Sequence, residues 1–206
     1  MKQQLEMPAT VLTEPAVTTD ITAVAVRNRA GQVRTIDELT TLFDLCLVVV
    51  DGWRPEQLDH MAPLIERLHR VLGDADCTFG LLAVGVGPEH AVALAGPLSD
   101  RVAVFADPHG TAADALGVPG APSLVWVDTQ PALRAVVAGW DGQRWRPVLA
   151  ELARKLAWTR PLVPVPGDPA PMDAEAFTLR SATITQLPAR SHEAREEEQP
   201  DARIAV

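Results

Sequence analysis

With 206 residues, 47% of them apolar, the chain is long enough for one ordinary domain with a real core plus extensions. A formal net charge of −9 speaks against nucleic acid and against an anionic membrane surface, since both are gripped by clustered Lys and Arg. No stretch reaches the ~20 apolar residues that span a bilayer. Residues 1–8 lack the apolar segment of a signal peptide, so the expected location is the cytoplasm, where the two cysteines stay free thiols.

Residues 1–20 carry Pro8 and Pro15 without periodicity and read as a flexible lead-in. β-branched alternation over 22–26, a turn at Asn28-Arg29-Ala30-Gly31 and resumed alternation over 32–36 predict a hairpin. Thr35 and Glu38 are spaced to cap a short helix reciprocally. The unbroken run Leu45-Cys46-Leu47-Val48-Val49-Val50 suits a strand buried on both faces. Leu58, Met61, Leu64, Ile65, Leu68 and Leu72 recur at three and four, which predicts a helix over 55–72. Pro55 suits its first turn, and Pro63 is expected to kink it.

Further strands are expected at 78–86, 102–105, 124–127 and 134–138, with helices at 111–116 and 146–158. Residues 89–98 read as a short helix or an irregular link. This order predicts an α/β fold, a central mixed sheet flanked by helices with an antiparallel edge. Beyond Trp158, Pro161, Pro164, Pro166, Pro169 and Pro171 predict an extended arm. Residues 176–187 read as a strand or a docking segment, and 190–206, with Glu196-Glu197-Glu198, as disordered. The expected plan is a lead-in over 1–20, one domain over 21–158, and an arm and tail over 159–206.

Three ordered signatures resemble the thioredoxin superfamily, in its branch of alkyl hydroperoxide reductases and TlpA-like or MauD-like disulfide reductases. The first is Val48-Val49-Val50-Asp51-Gly52-Trp53-Arg54-Pro55 followed by Met61-Ala62-Pro63. The second runs from Phe105-Ala106-Asp107-Pro108-His109-Gly110 to Leu116-Gly117-Val118. The third is Val118-Pro119-Gly120-Ala121-Pro122-Ser123 and the strand after it. Residues 166–172 with Phe177-Thr178-Leu179 also resemble a short motif of alkyl-hydroperoxide-reductase-like domains. The resemblance implies a thioredoxin-like fold with an N-terminal hairpin and a C-terminal arm. It also implies a cis Ala121–Pro122 bond lying beside Trp53.

The sequence departs from the family at the cysteines. The loop Asp51-Gly52-Trp53-Arg54-Pro55-Glu56-Gln57 has no Cys-x-x-Cys and no cysteine at all. Aligned on Trp53, the family's thiol positions hold Arg54 and Gln57; aligned on Pro63, they hold Pro55 and Leu58. Thiol–disulfide exchange needs a thiolate nucleophile, and neither register supplies one.

Other chemistry is sparse. Cys46 and Cys77 read as a redox pair across the sheet or, more plainly, as buried and inert residues. His60, His69, His90, His109 and His192 show no metal-ligand spacing, and Asp59 with His60 reads as a solvated helix face. No Gly-x-Gly-x-x-Gly, P-loop or Gly-x-Ser-x-Gly occurs, and no cofactor is expected.

In the family, the loop, the helix start and the cis-proline grip partner polypeptides. The candidate partner-binding residues are therefore Trp53, Arg54, Pro55, Glu56, Gln57, Ala121 and Pro122. Arg54 offers a planar fork for a partner carboxylate and Trp53 an aromatic anchor. The reading is a redox-inactive binding protein, an accessory subunit or assembly chaperone of a larger enzyme. Cysteine-less thioredoxin folds that chaperone hydrogenase subunits are a precedent. The alternatives are an oxidoreductase or peroxidase using Cys46 or Cys77, and a homo-oligomer formed by exchange of the 160–187 arm.

Overall fold

The computed structural model describes residues 20–179. The expected lead-in up to residue 19 and the charged tail lie outside the described residues. β1 (Ala25–Asn28) and β2 (Val33–Thr35) form the expected hairpin. β1 begins later than its alternation suggests because it also pairs with β5, Arg27 opposite Ala106. α1 (Ile36–Thr40) is held by the expected reciprocal cap between Thr35 and Glu38.

β3 (Asp44–Asp51) is buried along its whole length. α2 spans Pro55–Leu72 with Pro63 inside it and buries all six of the predicted apolar positions. Each such side chain contributes about 1.5–3 kcal/mol by leaving water. β4 (Cys77–Val84), α3 (Pro88–Ala95), β5 (Ala103–Asp107), α4 (Thr111–Ala115), β6 (Ser123–Val127) and β7 (Leu133–Ala138) follow. A 3-10 turn over Gly96–Asp100 links α3 to β5, so the ambiguous 89–98 stretch is a helix that Gly96 ends at φ +51°.

α5 spans Gly142–Lys155 and starts ahead of the expected residue 146. Asp141 caps it by accepting from the Gln143 amide at 2.8 Å. Trp145, in the first turn, is fully buried, and that burial offsets the bond Pro147 cannot donate. Trp140 meets Trp145 edge-on, ring centres 4.9 Å apart.

The sheet order is β2-β1-β5-β4-β3-β6-β7. β3, β4 and β5 are parallel, while β6, β7 and the hairpin run antiparallel, giving the mixed sheet expected. Alternate β3 residues serve two cores, as a period of two requires. Cys46, Val48 and Val50 pack with α2, α3 and α5; Leu45, Leu47 and Val49 pack with α1 and α4.

The register gathers five strand ends at one edge. Asp51 lies opposite Val84, Val84 opposite Asp107, Val49 opposite Ser123, and Ser123 opposite Ala138. The open edge at the carboxyl ends of parallel strands is where α/β sheets usually bind ligands.

After α5 the chain turns back over this domain. The Trp158 indole donates to the Val71 carbonyl at 2.7 Å. Val163 is buried in the α2–α5 core, and Arg67 holds both the Leu162 carbonyl and the Asp168 carboxylate. Ala121–Pro122 is cis, and so is Val163–Pro164.

Candidate functional site

At the edge, β3 ends in a buried carboxylate. Asp51 accepts from the Trp53 amide through Oδ1 and from the Thr178 amide through Oδ2, both at 2.9 Å. Arg54 Nε lies 3.3 Å from Asp51 Oδ2. Gln57 turns inward, its Oε1 accepting from the Asp51 amide at 3.1 Å. One acid and one amide thus fix the loop that leads into α2.

Trp53 leans towards β4. Its indole donates to the Gly85 carbonyl at 2.8 Å, and its ring lies 4.9 Å from that of His90. Pro55 and Glu56 stand exposed at the helix start, while Arg54 and Gln57 are half-buried. Leu58 is core. Arg54 and Gln57, the pair given by alignment on Trp53, both reach Asp51, whereas of the pair given by alignment on Pro63, Pro55 is exposed and Leu58 is buried.

Ala121 and Pro122 are buried, and what covers Ala121 is the chain's own arm. The Ala121 amide donates to the Glu175 carbonyl at 2.9 Å, and the Glu175 amide donates back at 2.8 Å. Trp140 and Met172 make the same reciprocal pair, at 2.7 and 2.8 Å. The Glu175 carboxylate meets Arg54. Thr178 reaches Asp51, and Leu179 lies over Gly110. The arm thus crosses the strand ends in spatial order, from β7 through β6, β3 and β4 to β5.

Three glycines, Gly85, Gly120 and Gly139, make room for its backbone. A Cβ on Gly120 would lie 2.2 Å from the Glu175 carbonyl oxygen, and one on Gly139 would lie 2.7 Å from that of Met172. The contacts are individually weak. Each main-chain bond is worth about 1 kcal/mol net. The Glu175 side chain is 64% exposed, so its pair with Arg54 adds at most about 1 kcal/mol.

Asp51, Gly120, Glu175 and Thr178 were not among the sequence candidates for this site. Asp51 had a signal, a charge closing an otherwise apolar strand; Glu175 had none.

The two cysteines sit elsewhere. Burial pushes the Cys77 thiol up to about 12, helped by the Asp44 charge and opposed by the Cys46 backbone and Lys155. Burial, with the charges of Cys77 and Asp44 adding to it, also pushes the Cys46 thiol well above its ordinary value. At pH 8 the thiolate fraction of Cys77 is then about one in ten thousand. Ellman titration of native protein is expected to find almost no reactive thiol, and two after unfolding; fast reaction of the native chain would contradict this burial. The sign for stability follows. Unfolded thiols lose protons near 9 and Cys77 only near 12, so stability falls as pH rises through that window.

A second cleft of about 620 Å³ lies between β7 and α5, floored by Trp126 and Val148. Its cations are already paired: Arg134 with Asp128, Arg154 with Glu151 and Lys155 with Asp44. Burial alone would raise Asp128, but bonds from the Ala132 amide, Arg134 and the Gln130 amide hold it below the usual carboxylate range. Among the described residues, no cluster of His, Cys, Asp and Glu could hold a metal ion, and no helix is long and apolar enough to cross a membrane. Asp59 and His60 are both exposed on α2.

No protein-family model matches the chain, and no curated protein matches its sequence. Solved structures do. A thioredoxin-like protein of Porphyromonas gingivalis aligns with a TM-score of 0.54 at 13% identity, over 68% of this chain and 93% of that one. The C-terminal domain of a Bacteroides thetaiotaomicron protein described as a thiol-disulfide oxidoreductase aligns at 0.51 and 9% identity, over 68% and 99%. A further thioredoxin-like superfamily protein aligns at 0.50 and 18% identity, over 68% and 99%. At such identities the likeness concerns architecture alone: this chain has a thioredoxin-like fold, and the loop entering its first long helix holds no cysteine.

Proposed function

We propose that the protein acts by binding a polypeptide partner at the sheet edge between the Asp51–Gln57 loop and the Ala121–Pro122 loop, as an accessory subunit or assembly chaperone of a larger enzyme, and not by thiol chemistry. The observation that carries this reading is the reciprocal main-chain pairing of Ala121 with Glu175. An edge that pairs with one extended segment has the geometry to pair with another, main-chain bonds giving affinity and side-chain seats giving specificity. Arg54 and Trp53 flank that edge and supply a charge fork and an aromatic ring. The high pKa of the buried thiols supports the second half of the reading.

Capture from native extract tests it. The wild-type chain is expected to retain one dominant partner, identified by mass, and a Trp53→Ala, Arg54→Ala variant to lose at least nine-tenths of it. Equal retention by both chains moves the interface to another face. Insulin or peroxide turnover abolished by Cys46→Ser or Cys77→Ser replaces the reading with the oxidoreductase alternative.

A further inference from the structure

The arm divides into two parts that are held differently. Up to residue 169 it is anchored: Val163 is core, Arg67 grips Leu162 and Asp168, and the Trp140 indole donates to the Pro169 carbonyl at 2.9 Å. From 171 to 179 no residue is fully buried. That stretch is held by its backbone at Trp140, Ala121 and Asp51, by the exposed Glu175 carboxylate, and by partial packing of Met172 and Phe177 against the two cores. Few buried contacts place a segment among those that open without global unfolding. Its anchored root keeps it close to the groove at high effective concentration.

We propose that residues 172–179 are a tethered occupant of the groove, displaced when a partner segment of the same chemistry arrives. The inference rests on the binding reading above and specifies its ligand. The partner segment is extended and offers an amide and a carbonyl to Ala121. It carries a carboxylate facing Arg54, an apolar side chain two residues further on where Phe177 packs, and one residue beyond that an amide for Asp51. A basic segment at the Arg54 position meets like charge and is rejected. The tether sets a threshold, because a partner competes with a ligand that never diffuses away.

The test uses the full chain and a labelled peptide of residues 171–179. A variant with Glu175→Lys and Phe177→Ser in its own arm is expected to bind this peptide at least tenfold more tightly than wild type. Adding Gly120→Ala, whose Cβ occupies the path of the Glu175 carbonyl, is expected to abolish that binding. A peptide carrying Lys in place of the glutamate is expected not to bind. Equal affinity for wild type and arm-weakened chains, or no peptide binding by a folded arm-weakened chain, overturns the inference. Hydrogen exchange on the wild-type chain gives an independent reading. The Glu175 and Ala121 amides should exchange at least a hundredfold faster than those of β3, and equal rates make the arm a fixed part of the fold. If the peptide fails while partner capture still depends on Trp53 and Arg54, the tether falls and the binding reading stands.

Discussion

Asp51→Ala is expected to lower stability by about 3 kcal/mol and to abolish partner capture together. Two half-buried amides, those of Trp53 and Thr178, lose their acceptor, and the half-buried Arg54 loses its inner anion. The loop and the arm share that single carboxylate, so one deletion loosens both. Asp51→Asn keeps an acceptor oxygen and is expected to cost about 1 kcal/mol, with capture reduced rather than lost. Urea unfolding of the three chains, run beside the capture experiment, checks both effects. An Asp51→Ala chain as stable as wild type contradicts the hydrogen-bond pattern.

The second large effect lies at the opposite end of the same strand. Asp44 is buried and accepts from the Trp126 indole at 2.9 Å and the Thr129 amide at 3.2 Å, while Lys155 reaches it from α5. Asp44→Ala leaves a buried indole, an amide and a cation without their partner, at a cost of about 3–5 kcal/mol. For a chain of this size that lowers the melting temperature by about 10 °C. Partner capture is expected to persist wherever the variant is folded, because β3 separates Asp44 from the groove by about 20 Å. Calorimetry and capture at low temperature check the pair of outcomes. The two aspartates thus separate stability from binding: one end of β3 should affect both, the other stability alone.

Much of the fold was legible because the local signals agreed. β3 is a pure apolar run, and α2 begins at its proline and ends where its three-four spacing ends. The Thr35–Glu38 cap was readable from spacing alone. The misses come from tertiary contacts. β1 lies where β5 pairs with it, which no alternation within 22–26 encodes. α5 starts ahead of the expected Arg146 because Trp145 is buried and Asp141 caps.

The groove was half legible. Its loops were named from the ordered motifs, and the missing cysteines were plain from the letters. Its occupant was not, because Arg54 and Glu175 are 121 positions apart. A proline-rich stretch announces an extended backbone without saying where it lies. Gly120 and Gly139 look like ordinary turn residues until the arm's carbonyls are seen against them.

On the proposed function, this fold binds through its groove and has no need of its thiols. The most direct measurement is the affinity of the captured partner for three full-length chains: wild type, Cys46→Ala with Cys77→Ala, and Trp53→Ala with Arg54→Ala. Unchanged affinity is expected for the thiol-free chain and at least a tenfold loss for the groove variant. Loss of binding in the thiol-free chain, with the groove variant unaffected, would contradict the proposed function.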